Sequence, residues 1–291
     1  MRGFVPDCAV QVPVTLDDAL GILTTEPGLW QPLAGGTDLM VLFNGGRLNG
    51  GRFLDLSRLE ALRGITEDET SLYFGALTTF SEMLGSSAVH RHFPNLVKSG
   101  RATGALAIQN RGTLGGNIAN ASPAADTPPA LLAYGAELEL VSVRGRRTVP
   151  YEAFHRGYKQ MDLAQDELVA GIRVTKPKGL GFHFYRKVGT RQAQAISKLC
   201  MAAYARVEEG RIAEFRTGLG SVAPAPQRAC HAEAVLLGCA VAELPVKAAR
   251  EALMADISPI DDIRSTAKYR RIVTGNVFEQ MLKELALIQG S

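Results

Sequence analysis

Two double-glycine segments contain the residues of this sequence that could do chemistry. The first runs from Gln31 to Asp38 and reads QPLAGGTD, and the second runs from Thr113 to Asn117 and reads TLGGN. Main-chain N–H groups that converge on a pyrophosphate hold it well, and glycine lets its oxygens approach without meeting a Cβ atom. One glycine pair alone is more often an ordinary tight turn. Two such pairs, each trailed by an aspartate, predict a site for a dinucleotide phosphate.

The aspartates that follow the two segments are candidates for sugar contacts, because a carboxylate repels phosphate but accepts hydrogen bonds from hydroxyl groups. Asp126 is the better candidate for such a contact. Asp38 could bind the ligand, or it could equally cap the helix predicted to follow it.

A third glycine-rich segment, Gly218-Leu-Gly220-Ser-Val-Ala223, is close to the fingerprint of Rossmann-type dinucleotide folds and follows a predicted strand. That fold needs a helix directly after the glycines, because the helix N-terminus meets the pyrophosphate. Pro224 and Pro226 come next and would prevent such a helix. We therefore exclude a Rossmann-type site here.

The sequence around these motifs predicts a mixture of helices and strands. Thr15 and Thr79 each precede an acidic residue by three positions, a spacing typical of a capped helix start. We predict helices over 16–24, 39–43, 95–108 and 265–288, and a short helix after Thr79. We predict strands over 30–33, 53–56, 72–80, 182–188, 200–208 and 211–219, and a hairpin over 138–149.

The composition is that of an ordinary globular protein, with 46% hydrophobic and 21% charged residues among 291, a length that predicts two domains. The net charge of +3 includes no long basic run, so nucleic-acid binding is not favoured. The N-terminus lacks the apolar core of a signal peptide, and no 18-residue apolar stretch could span a bilayer. We expect a cytoplasmic protein.

The cysteine and histidine positions do not indicate a metal site. The four cysteines, at 8, 200, 230 and 239, contain no C-x-x-C pair, so neither a zinc ribbon nor a protein-bound iron–sulfur cluster is suggested. His90 and His92 lie in a polar stretch without an evident third ligand, and we predict that they are surface residues.

The two glycine segments, the second continuing through NASPAAD to Asp126, resemble the FAD-binding subunits of the xanthine dehydrogenase and carbon monoxide dehydrogenase group. Further text similar to that family is GALTTF at 75–80, YRKVGTR at 185–191, AIS at 195–197, GSVAPAPQR at 220–228 and STAKYRR at 265–271. The resemblance covers nearly the whole chain, and the second segment with its SPAAD extension is the most specific part.

That resemblance implies an α+β architecture. A vanillyl-oxidase-like, PCMH-type FAD-binding fold of two lobes would hold FAD between them, and a smaller α+β domain of three antiparallel strands and helices would follow. We place the lobes at about 1–57 and 58–176 and the C-terminal domain at 177–291, because proline, glycine and charge cluster at 176–179.

Carried over by position, the resemblance also implies which residues hold FAD. Asp126 would bind the sugar-side hydroxyls, and Val169 and Lys187 would lie near the adenine or flavin rings. A cation at Lys187 would stabilise the anionic reduced flavin. The alternatives are a core strand residue at Val169 and a solvated surface lysine at Lys187. The residues that would wrap the pyrophosphate are Gln31, Pro32, Leu33, Ala34, Gly35, Gly36, Thr37, Asp38, Thr113, Leu114, Gly115, Gly116 and Asn117.

By the same resemblance, the chain would be the flavoprotein subunit of a molybdenum hydroxylase. A molybdopterin-binding large subunit would hydroxylate the substrate, and a small subunit with [2Fe-2S] iron–sulfur clusters would carry electrons one at a time. The FAD of this chain would collect two electrons and pass them to NAD+, a quinone or oxygen. Because the cofactor does such chemistry, we expect no general acid–base pair in this chain.

Two departures from the family narrow this interpretation. Thr37 and Asp38 follow the first glycine pair, where the carbon monoxide branch tends to have His and Ser, and this favours a purine or other N-heterocycle hydroxylase. The cysteine-rich insertion of hydroxybenzoyl-CoA reductase subunits is missing. Two alternatives stay open: a self-contained flavin oxidoreductase of the same fold, and a cofactor-free scaffold or assembly protein.

Overall fold

The structure is a computed structural model that describes residues 7–48, 50–179, 181–191 and 194–290. Its strands form a three-stranded, a five-stranded and a four-stranded sheet and one small hairpin, with helices between them. The predicted mixture of helices and strands is confirmed. Residues 1–6, which begin the stretch considered above for a signal peptide, lie outside the described residues.

The first sheet is parallel and carries the first glycine segment at the end of an edge strand. Its strands, in the spatial order β1–β3–β2, are β1 (Cys8–Gln11), β2 (Gln31–Leu33) and β3 (Gly51–Asp55). Helix α1 (Leu16–Thr25) begins at the predicted capping box, in which Thr15 and Asp18 bond each other's main-chain N–H groups. Helix α2 (Leu39–Asn44) follows the glycine segment.

The second sheet is antiparallel throughout, in the spatial order β4–β5–β10–β6–β7. The strands of this part of the chain are β4 (Ile65–Glu67), β5 (Ser71–Gly75), β6 (Glu137–Ser142), β7 (Gly145–Pro150), the hairpin strands β8 (His155–Gly157) and β9 (Gln160–Met161), and β10 (Leu168–Thr175). The predicted hairpin over 138–149 is confirmed as β6 and β7.

Short helices connect these strands. They are a 3₁₀ turn (Glu60–Leu62), α3 (Phe80–Gly85), α4 (Ser87–His92), α5 (Pro94–Ala102), α6 (Leu106–Gln109), α7 (Leu114–Ala119), α8 (Pro128–Ala133) and α9 (Tyr151–Phe154). The short helix predicted after Thr79 is α3, and Thr79 caps it in a capping box with Glu82.

Two predicted elements are wrong in extent. The helix predicted over 95–108 is two helices, α5 and α6, because Gly104 between them has a φ of +58°, a left-handed conformation that interrupts a right-handed helix. The strand predicted over 72–80 ends at Gly75, because the following residues turn so that Thr79 can cap α3.

The third sheet contains the three antiparallel strands predicted for the C-terminal part and one short additional strand. They are β11 (Gly181–Val188), β12 (Leu199–Glu208), β13 (Arg211–Gly220) and β14 (Gln227–Arg228). After them come α10 (Cys230–Leu236), a 3₁₀ turn (Val241–Glu243), α11 (Val246–Asp256), α12 (Ala267–Ala286) and a last 3₁₀ turn (Leu287–Gly290).

Strand β12 is buried on both faces, and its alternate residues belong to two different cores. Ala202 and Tyr204 pack with the residues of α8 and the second sheet. Met201 and Ala203 pack with Phe278 and other residues of α10, α11 and α12. Because side chains alternate across a strand, this one strand links the core of the second sheet to that of the C-terminal helices.

The exclusion of a Rossmann-type site is confirmed by the course of the chain after Gly220. Strand β13 continues to Gly220, and the next helix begins only at Cys230. In the part of the chain that the structure describes, no helix has both the length and the apolar character needed to cross a membrane.

Candidate functional site

The first glycine segment forms the turn between β2 and α2, and its two glycines are needed for different reasons. An ideal Cβ atom on Gly35 would lie 1.8 Å from the carbonyl oxygen of Arg111, so no larger residue fits against that backbone. Gly36 has a φ of +71°, which glycine adopts readily, and its Cβ atom would meet only Leu33, at 3.5 Å. The turn is therefore packed against the chain that leads into the second segment.

The first turn also leaves main-chain donors unused. Among the residues that the structure describes, the N–H groups of Gly35, Gly36, Thr37 and Asp38 have no hydrogen-bond acceptor. Asp38 is the N-cap residue of α2, but its side chain makes no capping hydrogen bond there, so the capping alternative is not supported. Consecutive free N–H groups are what an anionic phosphate needs.

The flanking residues of the first segment are accessible as well. Gln31 and Pro32, on the edge strand β2, are exposed, and Leu33 and Ala34 are partly buried. A ligand seated on the free N–H groups could therefore contact these residues without a rearrangement of the core.

The second glycine segment is not an open turn, and this corrects the expectation that both glycine pairs present bare N–H groups. Leu114 and Gly115 begin helix α7, and their N–H groups donate to the carbonyl oxygens of Thr78 and Ala76 at 2.9 and 2.8 Å. An ideal Cβ atom on Gly115 would lie 2.6 Å from the Cβ atom of Ala76. Gly115 is thus required by the packing of α7 on the chain after β5.

The next two N–H groups are used within the first turn of the helix. Gly116 donates to Thr113 Oγ1 at 3.1 Å, and Asn117 donates to the carbonyl oxygen of Thr113 at 2.9 Å. Thr113 is therefore an N-cap residue. The side-chain oxygen of Asn117 is different, because it is buried and has no hydrogen-bond donor among the described residues. A buried oxygen without a donor favours a ligand or an ordered water at this place.

The two glycine segments lie side by side. Gly35 touches the backbone of Arg111, two residues before Thr113, and an ideal Cβ atom on Gly116 would be 3.7 Å from the Cβ atom of Ala34. One small region therefore contains the free N–H groups of the first segment and the unpaired oxygen of Asn117.

Asp126 and Lys187, which the family resemblance implicates separately, form an ion pair. Lys187 Nζ lies 2.6 Å from Asp126 Oδ2, and each side chain is 11% exposed. Lys187 also donates to the carbonyl oxygen of Ala102 at 2.9 Å, so it is not a solvated surface lysine. Ser197 Oγ donates to the other carboxylate oxygen, Asp126 Oδ1, at 2.5 Å.

Burial governs the protonation of this cluster. Desolvation raises the pKa of the Asp126 carboxyl group, and the ion pair with Lys187 and the hydrogen bond from Ser197 oppose that rise. The Tyr185 hydroxyl donates to the carbonyl oxygen of Asp126 at 3.1 Å, and burial raises its pKa well above the usual value. Cys200, which contacts the Tyr185 hydroxyl at 3.2 Å, also has a raised pKa because it is buried.

Ser197 and Tyr185 are parts of the site that the sequence alone does not indicate. Both lie in text that resembles the family, but nothing in their local pattern indicates that they hold Asp126, which is 71 positions before Ser197. Ser197 is 0% exposed. A buried polar residue needs a hydrogen-bond partner, and only the structure shows that this residue is buried and that Asp126 is the partner.

Val169 lies in β10, opposite Leu140 of β6, and is 7% exposed. It belongs to the same core as Leu114 and Ile118 of α7. These surroundings agree with the alternative of a core strand residue beneath the second segment. A contact between Val169 and a ligand ring stays a prediction.

The histidines and carboxylates show little that is typical of a metal site. His90 is exposed, and His92 is partly buried, with Nε2 3.4 Å from a carboxylate oxygen of Glu67. Within residues 7–290 as described, no group of three or more His, Cys, Asp or Glu side chains could hold a metal ion.

Comparison with known proteins shows the family to which the chain belongs. Residues 6–177 match the family model of the FAD binding domain in molybdopterin dehydrogenase, and residues 183–285 match that of the CO dehydrogenase flavoprotein C-terminal domain. The chain belongs to this flavoprotein family. It is therefore an oxidoreductase subunit with an FAD-binding domain, as the resemblance implied.

Individual relatives agree over almost their full lengths. The chain is 31% identical over 278 residues to the xanthine dehydrogenase FAD-binding subunit of Escherichia coli O157:H7, covering 95% of each protein. It is 30% identical over 274 residues to the nicotine 6-hydroxylase medium subunit of Paenarthrobacter nicotinovorans, covering 94% of this chain and 95% of that subunit.

A solved structure confirms the predicted fold class. The chain superposes on a chain of carbon monoxide dehydrogenase from Hydrogenophaga pseudoflava with a TM-score of 0.92 and 29% identity, covering 97% of this chain and 98% of the other. Together with the two family matches, this confirms an FAD-binding fold followed by a C-terminal flavoprotein domain.

The residues present fit FAD. The free N–H groups of Gly35 to Asp38 suit a pyrophosphate, and the unpaired oxygen of Asn117 could accept a hydrogen bond from the ligand. Asp126 fits a sugar contact less simply, because both of its carboxylate oxygens already have a partner in Lys187 or Ser197. A carboxylate has about four acceptor positions, so a ligand hydroxyl could still be added.

Proposed function

We propose that this chain binds FAD at the two adjacent glycine segments and serves as the electron-transfer flavoprotein subunit of a molybdenum hydroxylase. The observation that supports this most directly is the row of free N–H groups from Gly35 to Asp38 beside the buried, unpaired oxygen of Asn117. Bound FAD would accept electrons and pass them on.

The protein's own contribution differs between the two segments. Gly35, Gly36, Thr37 and Asp38 would donate main-chain hydrogen bonds to the pyrophosphate. The second segment would supply a closely packed wall, because its N–H groups are already bonded and the missing Cβ atom of Gly116 lets Thr113 Oγ1 and Ala34 lie close to its backbone. Gln31, Pro32 and Leu33 would line the approach. Val169 would support this wall from the core or touch a ring.

Lys187 would provide the positive charge near the flavin. Its partner Asp126 and the carbonyl oxygen of Ala102 hold two of its three N–H groups in place. The third could be directed to a carbonyl oxygen of the flavin ring. A lysine held in this way stabilises negative charge on the ring without having to be ordered when that charge appears.

We propose that the chain works with a molybdopterin-binding large subunit and an iron–sulfur small subunit that carries [2Fe-2S] clusters. The description of the matched family as molybdopterin dehydrogenase and the names of relatives as medium chains or medium subunits support this proposal. Electrons would reach the flavin from the iron–sulfur partner and leave to NAD+, a quinone or oxygen. The organic substrate would not touch this chain.

We propose an N-heterocycle, such as a purine, as the substrate of the whole complex. Thr37 and Asp38 replace the His and Ser that are typical of the carbon monoxide branch. Relatives at 30–31% identity include two that are named for xanthine and nicotine, beside one that is named for glyceraldehyde. The test is to compare xanthine, nicotinate and carbon monoxide as reductants of the purified complex. Reduction by carbon monoxide alone would contradict this proposal.

The division of the chain also stays a proposal: FAD-binding lobes at about 1–57 and 58–176, and a C-terminal domain at 177–291. The first sheet ends at Asp55, the second sheet ends at Thr175 and the third begins at Gly181, and this grouping supports the division.

The proposed function is tested first on the full chain purified alone. We expect a yellow protein with one FAD per chain that does not turn over xanthine without partners. The variant Gly116→Val should lose FAD but keep its circular dichroism spectrum, because its Cβ atom would lie 2.8 Å from Thr113 Oγ1 and 3.7 Å from the Cβ atom of Ala34 and would therefore disturb the boundary between the two segments locally. Gly21→Val in α1, whose Cβ atom would meet nothing within 4 Å, is the matched control and should keep FAD.

Three results would contradict parts of the proposal. Turnover by the isolated chain would favour a self-contained flavin oxidoreductase. A colourless protein that takes up no FAD would favour a cofactor-free scaffold. Equal flavin content in Gly116→Val and the wild type would contradict the position of the site. Molybdenum and iron analysis of the complex that co-purifies with the tagged chain tests the partners, and a complex without either metal would contradict them.

A further inference from the structure

Ser221 is held in an unfavourable backbone conformation at the end of β13. Its φ is +69°, a left-handed value. For a residue with a Cβ atom this conformation costs free energy, and it persists only where the surrounding structure enforces it. All of its polar groups are used. Its N–H donates to the carbonyl oxygen of Pro123 at 2.7 Å, and its hydroxyl donates to the carbonyl oxygen of Ser197 at 2.9 Å.

These two hydrogen bonds fix both sides of the Asp126 environment. Pro123 is three residues before Asp126, in the segment that carries this carboxylate. Ser197 is the residue whose hydroxyl bonds Asp126 Oδ1. Ser221 therefore connects the chain that carries Asp126 to the chain that donates a hydrogen bond to it.

Arg270 of α12 completes this arrangement from the other side. It is 4% exposed, and its guanidinium donates to the carbonyl oxygen of Ser221 at 2.5 Å and to Asp262 Oδ1 at 2.8 Å. A guanidinium is removed from water only when it is paired, and Asp262 supplies the opposite charge. A continuous series of hydrogen bonds thus runs from Arg270 through Ser221, Ser197 and Asp126 to Lys187.

From this series we infer that Ser221 and Arg270 are positioning residues for the Asp126–Lys187 pair, and that they set the affinity of the chain for reduced relative to oxidised FAD. The inference rests on the proposed function. Neither residue is placed in contact with the flavin, and each acts through Ser197 and Asp126.

The expected effect is specific to the redox state of the flavin. The pyrophosphate would be held mainly by the free N–H groups of Gly35 to Asp38, which do not belong to this series. Lys187 would interact more strongly with the reduced flavin, because that form carries negative charge. If Asp126 loses its fixed position, Lys187 becomes less well placed, and the reduced form loses more affinity than the oxidised form.

The test uses the full chain loaded with FAD and two variants that should fold. Ser221→Gly keeps the left-handed backbone, the N–H bond to Pro123 and the carbonyl bond from Arg270. It removes only the hydroxyl that donates to the carbonyl oxygen of Ser197. Arg270→Lys keeps the charge but replaces the two-pronged guanidinium. The matched control is Arg271→Lys on the next position of α12, whose guanidinium bonds the carbonyl oxygens of Met254 and Ile257 instead.

We measure the Kd of oxidised FAD by titration and the two-electron reduction potential of bound FAD. We expect Kd values within threefold of the wild type for all three proteins. In Ser221→Gly and Arg270→Lys, reduced FAD should lose about tenfold more affinity than oxidised FAD, equivalent to a potential lower by about 30 mV. Arg271→Lys should keep the wild-type potential.

An unchanged potential in both variants would overturn the inference. This holds even if FAD binding is weaker, because weaker binding alone indicates a merely structural role. If the wild-type chain binds no FAD, the proposed function fails, and the positioning is then tested without FAD. The measurement is then the unfolding equilibrium constant of Ser221→Gly, of Lys187→Met and of the double variant. The effect of the double variant should differ by twofold or more from the product of the two single effects. Independent effects would overturn the inference in that case too.

Discussion

Lys187 and Asp126 form a buried ion pair, with Nζ 2.6 Å from Oδ2, that joins the two family-matched parts of the chain. Asp126 precedes α8, whereas Lys187 lies in β11 of the third sheet. The proposed flavin site is therefore completed by the C-terminal part and is not confined to the part that carries the glycine segments.

Replacement of one member of this pair should destabilise the chain strongly. Lys187→Met leaves the Asp126 carboxylate without its countercharge in a desolvated place, and such a change costs about 3–5 kcal/mol. The double variant Lys187→Met, Asp126→Asn should cost less than the sum of the two single variants. Chemical denaturation of the FAD-free chain measures both.

The control for that experiment is an exposed ion pair. Arg91 lies 3.7 Å from Glu67, and the Arg91 side chain is 62% exposed, so Arg91→Met should cost at most about 1 kcal/mol. Similar losses of stability in Lys187→Met and Arg91→Met would contradict the buried character of the first pair.

The two glycines of the first segment should respond differently to the same small substitution. Gly35→Ala places a Cβ atom 1.8 Å from the carbonyl oxygen of Arg111, so the turn must move away from the second segment. We expect a stability loss of about 3 kcal/mol and much weaker FAD binding.

Gly36→Ala meets no such obstacle, and its cost arises from its φ of +71° alone, about 1–2 kcal/mol. FAD affinity, measured by fluorescence quenching, should therefore fall far more in Gly35→Ala than in Gly36→Ala. The reverse order would indicate that the packing of Gly35 against Arg111 does not shape the site.

His183 should make the stability of the chain fall on acidification. Burial lowers its pKa to about 4 in the folded state, and its Nδ1 lies 3.0 Å from the Tyr134 hydroxyl. Because the unfolded chain binds this proton at about pH 6.5, protonation favours unfolding as the pH falls from about 6.5 to 4. This destabilisation is absent above that range.

The variant His183→Gln removes the titrating group but keeps a polar side chain. The difference in unfolding free energy between pH 7 and pH 4.5 should therefore be smaller in the variant than in the wild type. Urea denaturation at the two pH values is the measurement, and identical pH dependence in both proteins would contradict the lowered pKa that partial burial gives His183.

The cysteines should react with iodoacetamide in an order set by burial. Cys230 is exposed, whereas Cys200 is 0% exposed and its thiol pKa is raised by burial, so the reactive thiolate is rare there. Burial also raises the pKa of the Cys230 thiol, but its exposed position leaves it open to the reagent. Peptide mass spectrometry of the native chain should therefore find Cys230 labelled before Cys200, and Cys200 only after unfolding. Rapid native labelling of Cys200 would contradict the packing around Tyr185 and Asp126.

Features that depend on neighbouring residues could be predicted from the sequence. The capping boxes at Thr15 and Thr79 and the long strands of the third sheet follow from local spacing and alternation, and the structure has them. The break between α5 and α6 was missed because a single glycine is tolerated in many helices, and only its left-handed conformation ends this one.

Features that depend on distant partners could not be predicted from local pattern. The N–H groups of Leu114 and Gly115 are used by carbonyl oxygens of the chain just after β5, so the same double-glycine text is open at one place and closed at the other. Likewise, the resemblance implicated Asp126 and Lys187 individually. Their mutual contact across 61 positions came only from the fold.

The burial of β12 on both faces restricts how this subunit could be divided or recombined. Ala202 and Tyr204 fill the core beneath α8. A fragment that stops near residue 177 would lack them, so the apolar residues of α8 and the second sheet that they cover would be exposed to water and the fragment should aggregate. A C-terminal half borrowed from a distant relative would have to match this surface, and it would also have to supply the lysine. We therefore expect the two parts of this flavoprotein to change together in evolution. Fusing one of them to another enzyme should require redesign of β12, the strand that both cores share.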